Sequence, residues 1–332
     1  MEGHQFDNSL ADLPAEVAAD LERVTKLIQD RAGSETVQRI HTIAEHLFGG
    51  GGKRVRPMLT ICSARMLNYS GIAHIELAAA VEFVHTATLA HDDVVDQSRQ
   101  RRGRPTAQSL WNNKTSVLVG DFLFARSFQL MVASKSMRAL AILADTSAVI
   151  SEAEILQLVT QGRIDLPEAT YFQIIRGKTA ALFTAASQVG AVIAGGTEAQ
   201  IDACESYGNT LGMGYQMMDD MLDYSGSEAK LGKRIGDDFR DMKLTLPAIR
   251  GVATANEAEK KFWERVFVLG EQRDGDFERA MEILVRRGIL EEIHEEAIDW
   301  STRSKDSLAA LPENSYRAFL SGLADFAVRR SH

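Results

Sequence analysis

The sequence has little cysteine and no excess of basic residues, and each shortage excludes a class of protein. Only Cys62 and Cys204 are present, far apart and outside any CxxC or histidine-rich segment. A disulfide framework and a zinc site are therefore not expected, and the chain fits a reducing cytoplasm. The formal net charge of -9 argues against a nucleic-acid partner, because phosphate backbones attract basic surfaces.

Targeting signals and long apolar runs are also lacking. The N-terminal residues MEGHQFDNSL have neither the basic nor the apolar region of a signal peptide. No run approaches the ~18 continuous apolar residues that a membrane helix needs. We therefore expect no transmembrane segment and a cytoplasmic location.

Strand signals are missing, whereas helical spacing of apolar residues extends over almost every segment. No pair of alternating β-branched runs is joined by an Asn-Gly or Asp-Gly turn, so we predict an all-α fold. With 332 residues, 45% hydrophobic, the chain can bury a large core, and no Pro/Ser-rich linker divides it. We predict one helical domain over residues 1–332, with residues 1–12 as a flexible segment.

Two long helices are predicted most strongly. One runs from about Ile72 through Asp96. Another follows the stop signal Gly195-Gly196 and a capping box, in which Thr197 and Gln200 satisfy each other's backbone N–H groups, and extends toward Asp223.

Each of these helices carries a DDxxD cluster. Because residues four apart lie on one helix face, each cluster offers a patch of hard oxygen ligands. Magnesium prefers a few carboxylates together with substrate phosphate oxygens. A solvated acidic face is the alternative, but apolar runs precede both clusters, which favours the rim of a cavity. The candidate metal ligands are Asp92, Asp93, Asp96, Asp219, Asp220 and Asp223.

Basic residues lie close to these clusters in the sequence. Glycines 49 to 52 precede Lys53, Arg54 and Arg56, a flexible turn joined to positive charge that suits phosphate oxygens. Arg101 and Arg102 follow the first cluster, where arginine can grip phosphate bidentately. Lys178 lies in an apolar run and needs a partner or a route to the surface. A surface or core position is the alternative for each of these residues.

Taken together, these residues resemble the trans-isoprenyl diphosphate synthase family, also called polyprenyl synthetases, from about Gly49 onward. The shared motifs are GGKRVRP (51–57), HDDVVD (91–96), RRGRPT (101–106), SVLVGDFLF (116–124), KTA (178–180), YQMMDDMLDY (215–224) and LGKRIGDDF (231–239). The likeness is strongest to bacterial octaprenyl, solanesyl and decaprenyl diphosphate synthases. It implies a helical bundle around a deep central cavity, a homodimer, and roughly three Mg²⁺ ions when allylic substrate is bound.

The resemblance also implies residue roles in joining an allylic diphosphate to isopentenyl diphosphate. Asp92, Asp96 and Asp219 would be the principal magnesium ligands, with Asp93, Asp220 and Asp223 supporting them. Arg101, Lys178, Lys233 and Lys243 would hold the allylic diphosphate. Isopentenyl diphosphate would be held by Lys53, Arg56, His85 and Arg102. Thr179 and Gln216 would line the reacting end of the chain.

The small residues Ala87 and Thr88 before the first cluster predict a long product. Ala87 and Thr88 lie one turn back and Val84 a further turn back, and in the family bulky aromatics at the first level stop growth early. We expect octaprenyl to decaprenyl products for quinone side chains, with peripheral delivery of product to a membrane left open.

Four other functions stay open. A shorter-chain farnesyl or geranylgeranyl diphosphate synthase would share the same motifs. A metal-dependent phosphohydrolase would pair His91 and Asp92 with distant histidines such as His41 and His74, but leaves the second cluster unexplained. A terpene cyclase usually has a different second motif, and a non-catalytic partner subunit usually loses one cluster.

Overall fold

The structure is a computed structural model that describes residues 13–50, 52–101, 103–225 and 235–329. The described residues are almost entirely helical, which confirms the all-α prediction. The predicted flexible segment 1–12, and the candidate site residues Arg102 and Lys233, lie outside the described residues.

The helices are numbered in chain order. Those of the first part of the chain are α1 (Ala15–Ala32), α2 (Gln38–Phe48), α3 (Val55–Met66), α4 (Ala73–Val95), α5 (Ala107–Leu110), α6 (Asn113–Ala133), α7 (Met137–Thr160), α8 (Glu168–Ile175) and α9 (Ala181–Ile193). Those that follow are α10 (Glu198–Ser225), α11 (Asp237–Arg240), α12 (Leu246–Ala253), α13 (Glu257–Trp263), α14 (Asp276–Arg286), α15 (Ile289–Ser307) and α16 (Ser315–Arg329). Segments with other helical hydrogen bonding are the π-helical Arg176–Ala180 and Glu264–Val268 and the 3₁₀ turn Leu308–Ala310.

A hairpin interrupts the helices after the first DDxxD cluster. Strands β1 (Gln100–Arg101) and β2 (Arg104–Pro105) pair antiparallel, with Gln100 opposite Pro105. Gly103 turns between them with a φ of 71°, which a residue without Cβ adopts at no steric cost. Strands of two residues are too short to show alternation, so the sequence did not predict them.

The chain divides into two compact units. The first takes in the described residues of Met1–Ser147, Leu182–Gly208 and Ser307–Leu323, and the second those of Ala148–Ala181, Asn209–Asp306 and Ala324–His332. The expectations of one domain and of a deep central cavity stay predictions. The first DDxxD cluster belongs to the first unit, and the second cluster to the second.

Helix α4 is the central helix of the first unit. It covers the predicted span and packs against α1, α3 and α6. It has no polar face over most of its length, and Leu77, Val81 and Val84 are all fully buried. Gly120 of α6 leaves room for the His91 ring of α4, because a Cβ there would lie 2.2 Å from Nε2 of His91.

Helix α10 begins as the sequence predicts. The Thr197 N–H donates to Oε1 of Gln200 over 3.0 Å, and the Gln200 N–H donates to the Thr197 hydroxyl oxygen over 3.3 Å. Both bonds satisfy N–H groups that a helix start leaves without a partner, which confirms the capping box.

Helix α6 has an apolar face without cover in the described residues. By length and composition alone, it is the one described helix that could cross a membrane, and 39% of its most apolar window is buried. Core helices of water-soluble proteins meet the same criterion, so the expectation of no membrane span stays a prediction.

Candidate active site

The first DDxxD cluster occupies the last turn of α4. Asp96 is the C-cap, and its N–H donates to the Asp92 carbonyl over 2.8 Å. Asp92 and Asp96 are half-buried, whereas the Asp93 side chain is only 3% exposed. The first and last carboxylates are therefore the more outward ones, although the Asp92 side chain is only 12% exposed, and the middle one lies inside.

Arg101 balances the buried carboxylate. Its Nε donates to Oδ1 of Asp93 over 2.9 Å, and its Nη2 lies 3.7 Å from Oδ2 of Asp92. Burial raises the pKa of Asp93, and the Arg101 guanidinium opposes that rise. The predicted contact of Arg101 with the allylic diphosphate stays a prediction.

Two polar side chains that the sequence did not single out hold the loop after the cluster. Gln108 donates from Nε2 to the carbonyls of Asp93 and Ser98, and the Thr106 hydroxyl donates to the Ser98 carbonyl over 2.7 Å. These bonds fix the backbone that leads to Arg101. Thr106 ends the RRGRPT motif but received no role from the sequence, and Gln108 lies outside every motif.

Arg56 and His85, both predicted to hold isopentenyl diphosphate, lie together in the first unit. Nη1 of Arg56 is 3.2 Å from Nε2 of His85, and the guanidinium stacks 4.4 Å above the centre of the Phe183 ring. Cation–π stacking fixes the plane of the guanidinium. Lys53 is exposed on the loop before α3.

Arg54, between Lys53 and Arg56, has a different task that the sequence did not indicate. Its backbone is left-handed, with a φ of 50°, and its guanidinium pairs with the buried Glu82 of α4. The same group donates to the Phe48 carbonyl over 3.3 Å. Arg54 therefore ties the glycine-rich loop to the helix of the first cluster.

The second DDxxD cluster separates its carboxylates more strongly. Asp219 is exposed, whereas Asp220 is 5% exposed and Asp223 is 1% exposed. The Tyr171 hydroxyl donates to Oδ2 of Asp220 over 2.7 Å, and Nε2 of Gln216 donates to Oδ1 over 2.7 Å. Burial raises the pKa of Asp220 to about 7, although both hydrogen bonds favour its charged form.

Asp223 holds the start of α11. Its Oδ2 accepts from the Asp238 N–H over 2.9 Å, and its carbonyl accepts from the Gly236 N–H over 2.7 Å. The Lys243 N–H in turn donates to the Asp238 carbonyl over 2.9 Å. The backbone that carries Lys243 is thus anchored to the second cluster.

Lys178 and Thr179 lie in the π-helical segment Arg176–Ala180, a form that occurs often at functional sites. Nζ of Lys178 donates to Oε2 of Glu154 over 2.8 Å and to Oε1 of Gln157 over 3.0 Å. These α7 residues are the partners that a lysine in an apolar run requires, and the sequence did not identify them.

Thr179 and Gln216, predicted to line the reacting end of the chain, are in contact. The Thr179 hydroxyl donates to Oε1 of Gln216 over 2.8 Å. The other end of the Gln216 amide is the group that donates to Asp220. Both the oxygen and the NH₂ group of the Gln216 amide are therefore held by hydrogen bonds to neighbouring side chains.

The predicted product-length residues line the buried side of α4. Val84 and Ala87 are fully buried. Thr88 is half-buried and donates its hydroxyl to the His85 carbonyl over 2.9 Å. At Ala87 the helix therefore presents only a methyl group to the interior.

The donor set fits magnesium, because the accessible atoms of both clusters are hard carboxylate oxygens. Within the described residues, no three His, Cys, Asp or Glu side chains form a ready-made cluster for a metal ion. A magnesium ion with few protein ligands and several from substrate phosphate and water does not need one. The three outward carboxylates Asp92, Asp96 and Asp219 are those predicted as principal ligands.

A groove of about 840 Å³ lies within the second unit, lined by Met218, Met221, Met281 and Ile298 among others. Met218 and Met221 lie on the face of α10 away from Asp219 and Gln216, as the helical repeat requires. This groove is not the cavity that the sequence predicted.

Comparison with known proteins identifies the family. A family model described as polyprenyl synthetase matches residues 37–284. The octaprenyl diphosphate synthase of Escherichia coli (strain K12) is 38% identical over 313 residues, which are 94% of this chain and 96% of that protein.

Solved structures agree in fold. A decaprenyl diphosphate synthase from Rhodobacter capsulatus has a TM-score of 0.92 at 52% identity, covering 96% of this chain and 98% of that one. A polyprenyl synthase from Caulobacter crescentus CB15, complexed with calcium and isoprenyl diphosphate, has a TM-score of 0.93 at 46% identity and covers 100% of both chains. Since the family model spans well over half of the sequence, and relatives at this identity span nearly all of it, the chain belongs to the polyprenyl synthetase family.

Proposed function

We propose that this protein is a magnesium-dependent long-chain trans-polyprenyl diphosphate synthase, which condenses an allylic diphosphate with successive isopentenyl diphosphates. The observation that carries the proposal is that both DDxxD clusters are complete and present outward carboxylates at Asp92 and Asp219. Relatives over nearly the full length are named octaprenyl and decaprenyl diphosphate synthases, which supports the same reaction.

Asp92, Asp96 and Asp219 would hold the magnesium ions, roughly three with allylic substrate bound. When bound, magnesium withdraws charge from the allylic diphosphate and makes it a better leaving group. The calcium and isoprenyl diphosphate named with the Caulobacter crescentus relative support a divalent metal beside a diphosphate.

Fixed cations would hold the two diphosphates. Arg101 and Lys178, assisted by Lys233 and Lys243, would bind the allylic diphosphate. Arg56, His85, Lys53 and Arg102 would bind isopentenyl diphosphate. The stacked and hydrogen-bonded Arg56 is already oriented, so it would lose little conformational entropy on binding.

Thr179 and Gln216 would act at the reacting carbons. Oxygen dipoles held by neighbours can stabilise the allylic cation that forms as diphosphate departs, without reorganising during the reaction. The isopentenyl double bond attacks the cation and forms the new carbon–carbon bond. Loss of a proton to the departing diphosphate then restores an allylic product that is one isoprene unit longer.

The small, fully buried Ala87 supports a long product. A shorter-chain farnesyl or geranylgeranyl diphosphate synthase is the second candidate. We predict that Ala87→Phe shortens the product, because an aromatic ring at this level would block the path proposed for the growing chain. Ala87→Ser, of similar volume, is the control. Mass analysis giving the same product from Ala87→Phe and wild type would contradict the prediction.

The phosphohydrolase alternative loses support from the histidines it requires. The His74 ring is fully buried, with Nε2 2.8 Å from Oδ2 of Asp20, and burial lowers its pKa. His41 pairs instead with Glu45 of α2 over 3.1 Å. The partners of these two histidines are thus Asp20 and Glu45 rather than His91 or Asp92.

Incubation of the purified protein with Mg²⁺, labelled isopentenyl diphosphate and farnesyl diphosphate tests the proposal. We expect products longer than geranylgeranyl diphosphate and no reaction without divalent metal. Release of phosphate from nucleotides, with no labelled product, would indicate the phosphohydrolase instead. Inactivity that an added partner chain relieves would indicate a non-catalytic subunit.

The apolar face of α6 supports a homodimer. Leu118 is 66% exposed and Val132 is 63% exposed on one stripe of a helix whose other side is in the core. We expect Leu118→Asp to convert dimer to monomer by light scattering. Leu269→Asp, equally exposed at 66% but outside this helix, should leave the dimer intact. Monomeric wild-type protein would contradict the proposal, and association with vesicles only would indicate a membrane contact.

A further inference from the structure

Four side chains of the second unit form a continuous hydrogen-bonded series that ends at a residue with no assigned role. The Thr179 hydroxyl donates to Gln216, the Gln216 amide donates to Asp220, and the Tyr171 hydroxyl donates to the other oxygen of Asp220. Each bond is between 2.7 and 2.8 Å long.

Asp220 differs in its surroundings from the aspartate beside it. Its two oxygens each accept from a protein donor, and the residue is 5% exposed. Asp219 is exposed on the same helix. Both Asp220 oxygens thus already accept a hydrogen bond within a buried setting, whereas Asp219 is open to solvent and to a metal ion.

We propose that Tyr171 and Asp220 form a positioning pair that orients Gln216, and through it Thr179, toward the reacting carbons. The pair does not touch substrate or metal. Tyr171 fixes the carboxylate rotamer, and the carboxylate selects the Gln216 orientation in which its NH₂ points to Asp220 and its oxygen to Thr179.

The orientation of Gln216 has chemical consequences. With its NH₂ bound by Asp220, its amide oxygen and not its N–H faces Thr179. An oxygen dipole stabilises a developing allylic cation, whereas a reversed amide would direct a positive edge toward it. This inference rests on the proposed synthase function and assigns to Tyr171 a part in the same reaction.

The chain contains a matched control for the loss of the Tyr171 hydroxyl. Tyr207 is also buried, at 1% exposure compared with 3%, and its hydroxyl donates over 2.7 Å to the Leu320 carbonyl in the first unit. Tyr171→Phe and Tyr207→Phe therefore remove the same buried group with a similar hydrogen bond. Only the first removal affects the series that contains Gln216.

We expect Tyr171→Phe to lower kcat by about 10- to 100-fold, the range found when a group that orients a functional ligand is removed, with KM for both substrates unchanged. Tyr207→Phe should keep the wild-type kcat. Tyr171→Phe kinetics equal to those of Tyr207→Phe would overturn the inference. Should Tyr171→Phe lose more thermal stability than Tyr207→Phe, Asp220→Asn must show the same kcat loss with unchanged KM.

A double-mutant cycle with Gln216→Met shows whether Tyr171 acts through Gln216. If it does, the double variant is no slower than Gln216→Met alone, because the group to be positioned is already missing. Multiplied losses would overturn the inference. An inactive wild type would instead refute the proposed synthase function, so the two failures are distinguishable.

Discussion

The buried aspartate of the first cluster faces a guanidinium, whereas the buried aspartate of the second faces a phenol and an amide. Asp93 accepts from the charged Arg101, which is itself 36% exposed. Asp220 accepts from the neutral Tyr171 and Gln216, and burial raises its pKa to about 7. One sequence pattern thus lies in two electrostatic environments.

This difference teaches that DDxxD alone does not define the task of each carboxylate. A cation beside Asp93 can leave that carboxylate for a substrate phosphate and return, so the first cluster suits exchange of partners. Tyr171 and Gln216 carry no charge that would attract them to a substrate phosphate, so the second cluster suits fixed orientation. The outward carboxylates are common to both.

Removal of an outward carboxylate should have the largest effect. We expect Asp92→Asn and Asp219→Asn each to lower kcat by about 100- to 1,000-fold, because several kcal/mol of charge stabilisation through the metal are lost at 1.36 kcal/mol per factor of ten. Steady-state kinetics at saturating Mg²⁺ measures this. The exposed Asp145→Asn is the control and should be unaffected. A large loss of kcat from only one of the two variants would contradict the expectation that Asp92 and Asp219 both hold magnesium.

Removal of the Arg101 charge should affect binding of the allylic diphosphate more than it affects kcat. We expect Arg101→Gln to raise the KM for the allylic diphosphate by about 10- to 100-fold, because a charge-assisted hydrogen bond contributes about 1.5–3 kcal/mol. Arg138→Gln removes an exposed arginine paired with Glu198 and should not change that KM. An unchanged KM for Arg101→Gln would contradict binding of the allylic diphosphate by Arg101 and would leave it only the ion pair with Asp93.

The smallest effect should be on stability. The folded-state pKa of Asp220 is raised above its ordinary value, so the ionised carboxylate costs stability that is recovered as the pH falls below about 7. In metal-free buffer at pH 8, Asp220→Asn should raise Tm by about 2–4 °C, as expected for a gain near 1 kcal/mol. Asp93→Asn should give a smaller change, because the Arg101 guanidinium already opposes the effect of burial on the Asp93 carboxylate and loses its hydrogen-bond acceptor in this variant. A lower Tm for Asp220→Asn would contradict this.

Much of the fold could be predicted from the sequence because the signals are local. The spacing of apolar residues predicted the helices, and Thr197 with Gln200 predicted the start of α10 within one residue. The hairpin at residues 100–105 was missed because its strands have two residues each.

For the site, the sequence supports a hypothesis where a motif carries its own chemistry, as at Asp92 and Asp219, and their roles stay predictions. The partners of the motif residues were not predictable from the sequence, because they come from distant positions. Tyr171 precedes Asp220 by 49 positions, and Glu154 precedes Lys178 by 24. No periodicity relates such pairs, so only the folded chain brings them together.

The magnesium requirement of two neighbouring variants tests the central comparison most directly. Asp219→Asn and Asp220→Asn remove the same charge from adjacent positions, and the Mg²⁺ concentration for half-maximal activity is measured for both and for wild type. We predict that Asp219→Asn raises this concentration by about tenfold or more, and that Asp220→Asn leaves it unchanged while kcat falls. An equal rise in both variants would show that Asp220 binds metal, and would contradict the separate tasks assigned to the two aspartates.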